Sequence, residues 1–221
     1  MTAVPITLAG QALLLDPGGA LWWPERQVLA VADLHLEKGS ACAVRGYLAP
    51  PWDTRATLDR LALLLRRYVP RTVVFLGDSF HDRDGARRLQ DADAARLSAM
   101  AAAHAFVWVL GNHDPLPPEG FPGEVAEWWE QDGIVFRHEA AGTPAEVCGH
   151  HHPKASVTTR AMTITRPCFV ASPHRLMLPA FGAYTGGLDI RHPAIAGLFT
   201  RGGRAFLLGR DRLFTFALDK P

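Results

Sequence analysis

Residues 72–78 read TVVFLGD, so that a run of apolar, strand-forming residues leads directly into Gly77 and the carboxylate of Asp78. The same order occurs upstream in VLAVADLH (residues 28–35) and downstream in AFVWVLGNHD (residues 105–114). Continuous apolar runs of this length are typical of strands that are buried on both faces. Helical patterns separate the three runs, and strand–helix–strand order predicts crossover connections and a largely parallel core.

Two helices and one hairpin are predicted around these strands. Asp53 can cap a helix whose apolar stripe consists of Leu58, Leu61, Leu64 and Leu65. An Ala-rich stretch over about residues 85–103 predicts the second helix. Near the start of the chain, apolar runs at residues 6–15 and 20–23 flank DPGG (residues 16–19), which is suited to a tight turn.

After Pro115 the pattern changes to short apolar runs separated by turn residues. These runs predict strands over residues 133–137, 145–148, 162–165, 169–171, 176–178, 205–208 and 213–218. The two halves together predict an α/β fold in which two packed, mixed β-sheets are flanked by helices. Because no internal repeat or long linker divides the chain, we expect residues 1–221 to form a single domain.

Composition narrows the class of protein. With 221 residues, of which 48% are hydrophobic and 20% charged, the chain can bury a substantial core and is not disordered. A formal net charge of +1 is too small for a protein that only coats nucleic acid non-specifically.

The three cysteines have no C-x-x-C spacing, which argues against a disulfide framework and a cysteine zinc module. Without a signal-like start or an apolar run of ~18 residues, we expect a cytoplasmic protein that makes no membrane contact.

Five successive predicted strands end in residue types that bind metals. Because ligands of α/β sheets gather at the carboxyl ends of strands, these termini are expected to converge on one pocket. Side chains two apart in an extended segment share a face, so we expect Asp33 and His35 to lie on one face, and likewise His150 and His152. The glycines before Asp78, Asn112 and His150 are expected to allow sharp turns. Seven oxygen and nitrogen donors exceed the needs of one ion, and favour two divalent ions, Mn²⁺ foremost, with Fe or Zn²⁺ as alternatives. The candidate metal ligands are Asp33, His35, Asp78, Asn112, His138, His150 and His152.

The blocks D-x-H, G-D, G-N-H-D, a single H and G-H-x-H occur in this order and resemble those of the calcineurin-like metallophosphoesterases. Further stretches are similar to the bacterial branch of ligase-associated DNA-damage-response phosphoesterases, some of which are called endonucleases. These stretches are KGS (residues 38–40), RG (45–46), PPWDT (50–54), LGDSFHD (76–82) and LPAFGAYTGG (178–187). The resemblance implies the four-layer metallophosphoesterase fold.

The resemblance also implies a role for each site residue. Asp33, His35, Asp78 and His152 would hold the first metal, and Asp78 would bridge to a second metal that is completed by Asn112, His138 and His150. His113 would face the substrate and protonate the leaving oxygen. Relatives place an acid three residues after the bridging Asp, where this chain has His81. Asp82 and Asp114 therefore both stay open as the acid that orients His113.

Three functions remain open from the sequence. The first is a dimetal phosphodiesterase or endonuclease that acts on DNA in repair, with repair proteins as further partners. The second is a hydrolase of small phosphodiesters or phosphomonoesters. The third is a non-catalytic repair scaffold, which the complete ligand set and His113 disfavour. Arg83, Arg87 and Arg88 would hold flanking phosphates of a polynucleotide, or they form the solvated face of a helix, as charge runs usually do.

Overall fold

The structure is a computed structural model that describes residues 2–116, 118, 120–158, 160 and 162–218. Seven strands form the first sheet, in chain order: Val4–Leu8 (β1), Gln11–Leu15 (β2), Leu21–Trp23 (β3), Val28–Val31 (β4), Thr72–Leu76 (β5), Ala105–Val109 (β6) and Glu124–Ala126 (β7). The strands pair antiparallel from β1 to β4 and parallel from β4 to β7. The predicted parallel core of β4, β5 and β6 is thus present in this sheet.

Eight strands form the second sheet: Trp128–Gln131 (β8), Ile134–Arg137 (β9), Glu146–Cys148 (β10), Lys154–Thr158 (β11), Thr163–Ala171 (β12), Arg175–Met177 (β13), Gly203–Leu208 (β14) and Leu213–Leu218 (β15). Their spatial order is β15-β14-β12-β13-β10-β9-β8, and β11 pairs with β12 beside this path. Among the described strands of this second sheet, only β10 pairs in parallel, with β9 and with β13. Both sheets are mixed, as predicted.

Helices cover the outer faces of both sheets. They are Lys38–Val44 (α1), Asp53–Tyr68 (α2), Gly85–Arg88 (α3), Asp91–Ala103 (α4) and Pro193–Ala196 (α5). The leucine stripe of α2 is buried against the outer face of the first sheet, while residues of α5 pack on the second. Between the sheets lies a third apolar layer, in which Val74 and Val107 meet Phe136 and Phe169. This arrangement confirms the predicted four layers, two sheets flanked by helices. None of the described helices has the length and hydrophobicity to cross a membrane.

Local details differ from the sequence patterns for identifiable reasons. The apolar run at residues 6–15 is two strands, because Ala9 and Gly10 have φ of +50° and +79° and form a turn. The predicted helix over 85–103 is divided, because Gln90 is extended (φ −66°, ψ 144°) before α4 begins. Pro167 does not end its strand: β12 continues through it while its pairing passes from β11 to β14. The patterns do not indicate the short elements β7, β8, β11, α1 and α5.

Glu146 fixes the loop that joins β9 to β10. Its side chain is fully buried, and its carboxylate accepts hydrogen bonds from the backbone N–H groups of Ala141 and Gly142 and from Thr143 Oγ1. The guanidinium of Arg175 on β13 donates to the same carboxylate at 2.5 Å. Burial alone would raise the pKa of Glu146, but these hydrogen bonds and the Arg175 charge outweigh it and lower the pKa below its usual value.

Replacing Glu146 with glutamine is expected to lower the free energy of unfolding at pH 7 by roughly 1–3 kcal/mol, because buried donors lose their anionic partner. A lowered folded-state pKa stabilises the protein above the unfolded-state pKa of about 4.3, and this contribution is lost as pH falls through the folded-state value. Urea unfolding of both proteins over a series of pH values measures the difference. Asp132→Asn, which breaks the exposed Arg26–Asp132 pair, is the control and should change stability little. A Glu146→Gln difference that persists unchanged at acid pH would contradict this account.

Candidate metal centre

The ends of five strands from both sheets meet at one edge of the molecule. Asp33, Asp78 and Asn112 follow β4, β5 and β6, which lie side by side in the first sheet. His138 follows β9, and residues 149–152 follow β10 in the second sheet. Backbone hydrogen bonds join these ends, including that from the His35 N–H to the Asp78 carbonyl at 2.8 Å. All seven candidate metal ligands therefore come together where the two sheets abut.

The first group of potential ligands consists of Asp33, His35, Asp78 and His152. One donor atom from each lies within 4.8 Å of the others. His35 Nε2 is 3.2 Å from His152 Nε2 and 3.7 Å from Asp78 Oδ2, and His152 Nε2 is 3.5 Å from Asp33 Oδ1. The nitrogens and carboxylate oxygens thus face one common point.

The second group consists of Asn112, His138 and His150, with Asp78 beside them. Asn112 Oδ1 is 2.9 Å from His138 Nε2 and 3.1 Å from His150 Nδ1, and the two imidazole nitrogens are 3.0 Å apart. His138 Nε2 is 3.6 Å from Asp78 Oδ2, the same oxygen that faces His35 in the first group. One carboxylate oxygen therefore lies between the two groups.

The charges of these groups fit divalent cations. The side chains of Asp33 and Asp78 are buried, and within the described residues neither carboxylate pairs with a lysine or arginine. Buried carboxylates need compensating positive charge, which bound cations supply. The donors are oxygen and imidazole nitrogen without thiolate, which suits Mn²⁺, Fe or Zn²⁺.

The imidazoles also present the correct nitrogen. His138 Nδ1 lies 3.0 Å from the Leu76 carbonyl, which can only accept, so Nδ1 carries the hydrogen and Nε2 offers its lone pair to the second group. His35 Nδ1 lies 3.4 Å from His81 Nδ1, while its Nε2 faces the first group. Burial, followed by the charges of His152 and His113, lowers the pKa of His35 to about 2, so this ring is neutral. The tautomer of His138 and the neutral charge of His35 are those that metal binding requires.

Backbone strain is concentrated in these residues. Asp33, His35, Asp78, His150 and His152 all have φ between +44° and +70°. Left-handed φ is uncommon outside glycine and clusters at functional sites. The sequence predicts that Asp33 and His35 share a face because they lie in an extended segment. That reason is wrong, since the backbone of each residue is left-handed and not extended.

The three glycines of the ligand loops act in two ways. Gly77 has φ of +72°, as the predicted sharp turn requires. Gly149 lies outside the left-handed region but permits a close approach: a Cβ there would be 2.5 Å from Asp33 Oδ2 and 2.8 Å from the Ala32 Cβ. Gly111 likewise leaves room for the Asp78 carboxylate. Gly111 and Gly149 are therefore needed for close contact between loops and not for a left-handed turn.

His113 lies beside the two groups and is exposed. Its backbone N–H donates to Asp78 Oδ1 at 2.9 Å, and its Nδ1 lies 2.8 Å from the carbonyl oxygen of His81. The nitrogens of His35, His81 and His113 also lie within 4.8 Å of one another. The sequence indicates His113 but not its partner, because a backbone carbonyl has no signature in the residue pattern.

Asp82 and Asp114 have other partners in the structure. Asp114 Oδ2 accepts from the Phe80 N–H at 3.0 Å, its Oδ1 is buried without a hydrogen bond from the described residues, and burial raises its pKa to about 7. Asp82 Oδ1 accepts from Arg88 at 2.7 Å and from the Asp84 N–H at 3.1 Å. In this structure a backbone carbonyl, rather than either carboxylate, therefore positions the His113 ring.

The arginines after Asp82 differ from one another. Arg88 is half-buried and donates to Asp82 and, at 3.0 Å, to Ser40 Oγ, so it joins α3 to α1. Arg87 lies 4.0 Å from Asp84, and Arg83 is exposed. The ion pair of Arg88 favours a structural role for it over a phosphate contact.

Replacing Gly149 with alanine is expected to displace the Asp33 carboxylate and lower the number of metal ions retained per chain, because the new Cβ occupies its place. Elemental analysis after dialysis against a limiting concentration of Mn²⁺ measures the retained metal. Gly186→Ala is the matched control, since a Cβ at Gly186 meets nothing within 4 Å. Equal metal content in both variants would show that Gly149 does not limit the position of Asp33.

Three comparisons relate this chain to known proteins. The family model for the calcineurin-like phosphoesterases matches residues 26–176, which include all seven candidate ligands. Among solved structures, nuclease MPE from Pseudomonas putida is 31% identical, with a TM-score of 0.76 over 96% of this chain and 100% of its own. YfcE, a phosphoesterase from E. coli, is 14% identical, with a TM-score of 0.42 over 87% of this chain and 99% of its own. A search of curated proteins found no match. The chain belongs to the calcineurin-like phosphoesterase family and is a metal-dependent phosphoester hydrolase.

Proposed function

We propose that this enzyme hydrolyses phosphodiester bonds of nucleic acid, as a nuclease in DNA repair, with two Mn²⁺ ions at its site. The observation that carries the dimetal assignment is the position of Asp78 Oδ2 between the two groups of donors, 3.7 Å from His35 Nε2 and 3.6 Å from His138 Nε2. The nucleic-acid assignment is supported by the similarity to a protein described as a nuclease. The exposure of Asn112 and His113 leaves the site open to a long substrate.

The two groups of donors divide the ligands between two cations. Asp33, His35 and His152 would hold one, and Asn112, His138 and His150 the other, with Asp78 shared. When bound, two such cations supply positive charge at the phosphoryl oxygens and a water of lowered pKa as the nucleophile. The buried carboxylates of Asp33 and Asp78 and the neutral ring of His35 would fix the position of this charge before substrate arrives, so that little reorganisation is needed during reaction.

His113 is assigned as the general acid. The His81 carbonyl can only accept a hydrogen bond, so His113 Nδ1 donates to it and the ring orientation is fixed. Nε2 is then the atom that holds the proton for the leaving oxygen. Because the ring is exposed while its backbone N–H is fixed on Asp78, the proton is held beside the cations and remains within reach of substrate.

We propose a cytoplasmic location and a single-domain organisation for the enzyme. Cys42, Cys148 and Cys168 are free thiols, which suits the reducing cytoplasm that we propose as its location. We also propose that residues 1–221 form one domain, since the two sheets share the apolar layer between them.

Substrate class is tested with one Mn²⁺-loaded sample on bis-p-nitrophenyl phosphate, its monoester, and single- and double-stranded DNA. Cleavage of DNA and of the diester, with little action on the monoester, is the expected result. Cleavage of small esters alone would favour the second function, a hydrolase of small phosphate esters.

Replacing Asp78 with alanine is expected to abolish turnover and to lower the metal content to one ion or none, because the shared ligand is lost. Metal analysis and diester hydrolysis measure the two effects. Asp93→Ala removes another buried carboxylate, on α4 and outside the site, and should leave both quantities unchanged. Two bound ions and full activity in the Asp78 variant would rule out the shared carboxylate.

Replacing His113 with glutamine is expected to leave both metals in place while DNA cleavage falls by about 10²–10⁴-fold, as loss of a general acid should. The loss should be smaller for bis-p-nitrophenyl phosphate, because p-nitrophenolate leaves readily without protonation. His104→Gln is the matched control, since His104 Nδ1 also faces a backbone carbonyl, that of Pro70 at 2.7 Å. A fall in metal content, or equal losses on the two substrates, would contradict the assignment.

A further inference from the structure

Residues 38–53 follow the candidate ligand His35 and form a segment that folds back onto its own beginning. The two ends of this segment, which we call the 38–53 projection, are tied together by buried groups. The Glu37 N–H donates to Thr54 Oγ1 at 2.9 Å, that hydroxyl donates to Glu37 Oε1 at 2.8 Å, and the Gly39 N–H donates to Asp53 Oδ2 at 3.0 Å. Since these ties begin two residues after His35, the projection rises from the rim of the site.

The far end of the projection is apolar and exposed. The exposed fractions of Val44, Tyr47, Leu48 and Trp52 are 75%, 72%, 100% and 67%. The turn that presents them is ordered by hydrogen bonds from the Gly46 N–H to the Ala43 carbonyl and from the Tyr47 N–H to the Cys42 carbonyl. Four large apolar side chains that lie within residues 44–52 and are all left in solvent indicate a binding surface.

Positive charge connects this apolar end to the metal centre. Residues 38–52 contain Lys38 and Arg45 and no acidic residue. Lys38 begins α1 three residues after the candidate ligand His35, and Arg45 directly follows the last residue of α1. Arg88 Nε donates to Ser40 Oγ and holds α1 against α3 beside the site. The seven residues of α1 span roughly 10 Å, so the path from site to tip is short.

We propose that the 38–53 projection binds unpaired nucleotides next to the scissile phosphate, with bases stacked on Tyr47 and Trp52 and phosphates on Lys38 and Arg45. Aromatic faces beside a cationic path are how proteins bind single strands without sequence preference. A duplex keeps its base faces stacked internally and cannot offer them to the two rings. This inference rests on the proposed function, in which the substrate is a polynucleotide. The one acidic residue of the projection, Asp53, is buried and accepts from the Gly39 N–H, so the exposed charges of the projection are positive. These charges and the continuity of the projection with the site favour a nucleic acid over a second protein as the occupant.

The test compares base stacking with backbone binding. A fluorescent single-stranded oligodeoxynucleotide, an abasic strand of equal length and a duplex are titrated against the Mn²⁺-loaded protein in a His113→Gln background, which slows cleavage. Tyr47→Ala and Trp52→Ala should each weaken single-strand binding by about tenfold, and the double variant by about 100-fold. The abasic strand should bind the parent as weakly as the intact strand binds the double variant. The affinity for the duplex and the affinity for the abasic strand should each be the same in the parent and in the alanine variants.

Matched variants separate stacking from structural damage. Tyr47→Phe and Trp52→Phe keep an aromatic face and should retain tight binding, while Phe216→Ala removes an exposed ring on β15 and should have no effect. In the His113 wild-type background, the double alanine variant should hydrolyse bis-p-nitrophenyl phosphate at the parent rate.

The outcomes are distinguishable from failure of the proposed function. If the parent cleaves DNA but the double alanine variant binds the single strand normally, or the abasic strand binds as tightly as the intact one, the stacking site is refuted and the nuclease function stands. If the parent hydrolyses the small diester but neither binds nor cleaves any oligonucleotide, the nucleic-acid function fails and the inference fails with it. The abasic comparison uses only the His113→Gln parent, so it decides the question even if the alanine variants do not fold.

Discussion

The buried carboxylate of Asp78 is the group on which the rest of the structure depends. It ends the central strand of the parallel core, and its Oδ2 faces imidazoles from both sheets, His35 of the first and His138 of the second. A carboxylate buried in this way is costly without compensating positive charge. Packing of the two sheets also assembles the site, because the strand ends that carry the candidate ligands come together at the edge of the apolar layer between the sheets.

This coupling explains why strain and close contacts accumulate at one edge of the molecule. Five candidate ligands have left-handed backbone, a conformation that the surrounding strands must impose. Glycines are required where the loops of the two sheets touch, as at Gly149 against Asp33. Glu146 holds the loop between the ligand-bearing strands β9 and β10 in place, because its carboxylate connects this loop to Arg175 on β13. The site is pre-formed at the expense of backbone freedom.

Much of this could be predicted from the sequence, for a physical reason. A fully apolar strand followed by a ligand residue is a local pattern, so β4, β5 and β6 with Asp33, Asp78 and Asn112 could be read directly. Features that depend on distant partners could not. The continuation of β12 through Pro167 and the division of α3 from α4 accompany contacts with neighbouring strands and with the core. The partner of His113 is a backbone carbonyl, which any residue type could supply at position 81.

Electron paramagnetic resonance of the protein during titration with Mn²⁺ tests the shared carboxylate most directly, because only ions joined by a common ligand show strong exchange coupling. The account predicts that the spectrum of a magnetically coupled Mn²⁺ pair develops as the second ion binds, and that Asp78→Asn removes this coupling. Saturation at one Mn²⁺ per chain, or two bound ions with the uncoupled spectrum of isolated Mn²⁺, would contradict it.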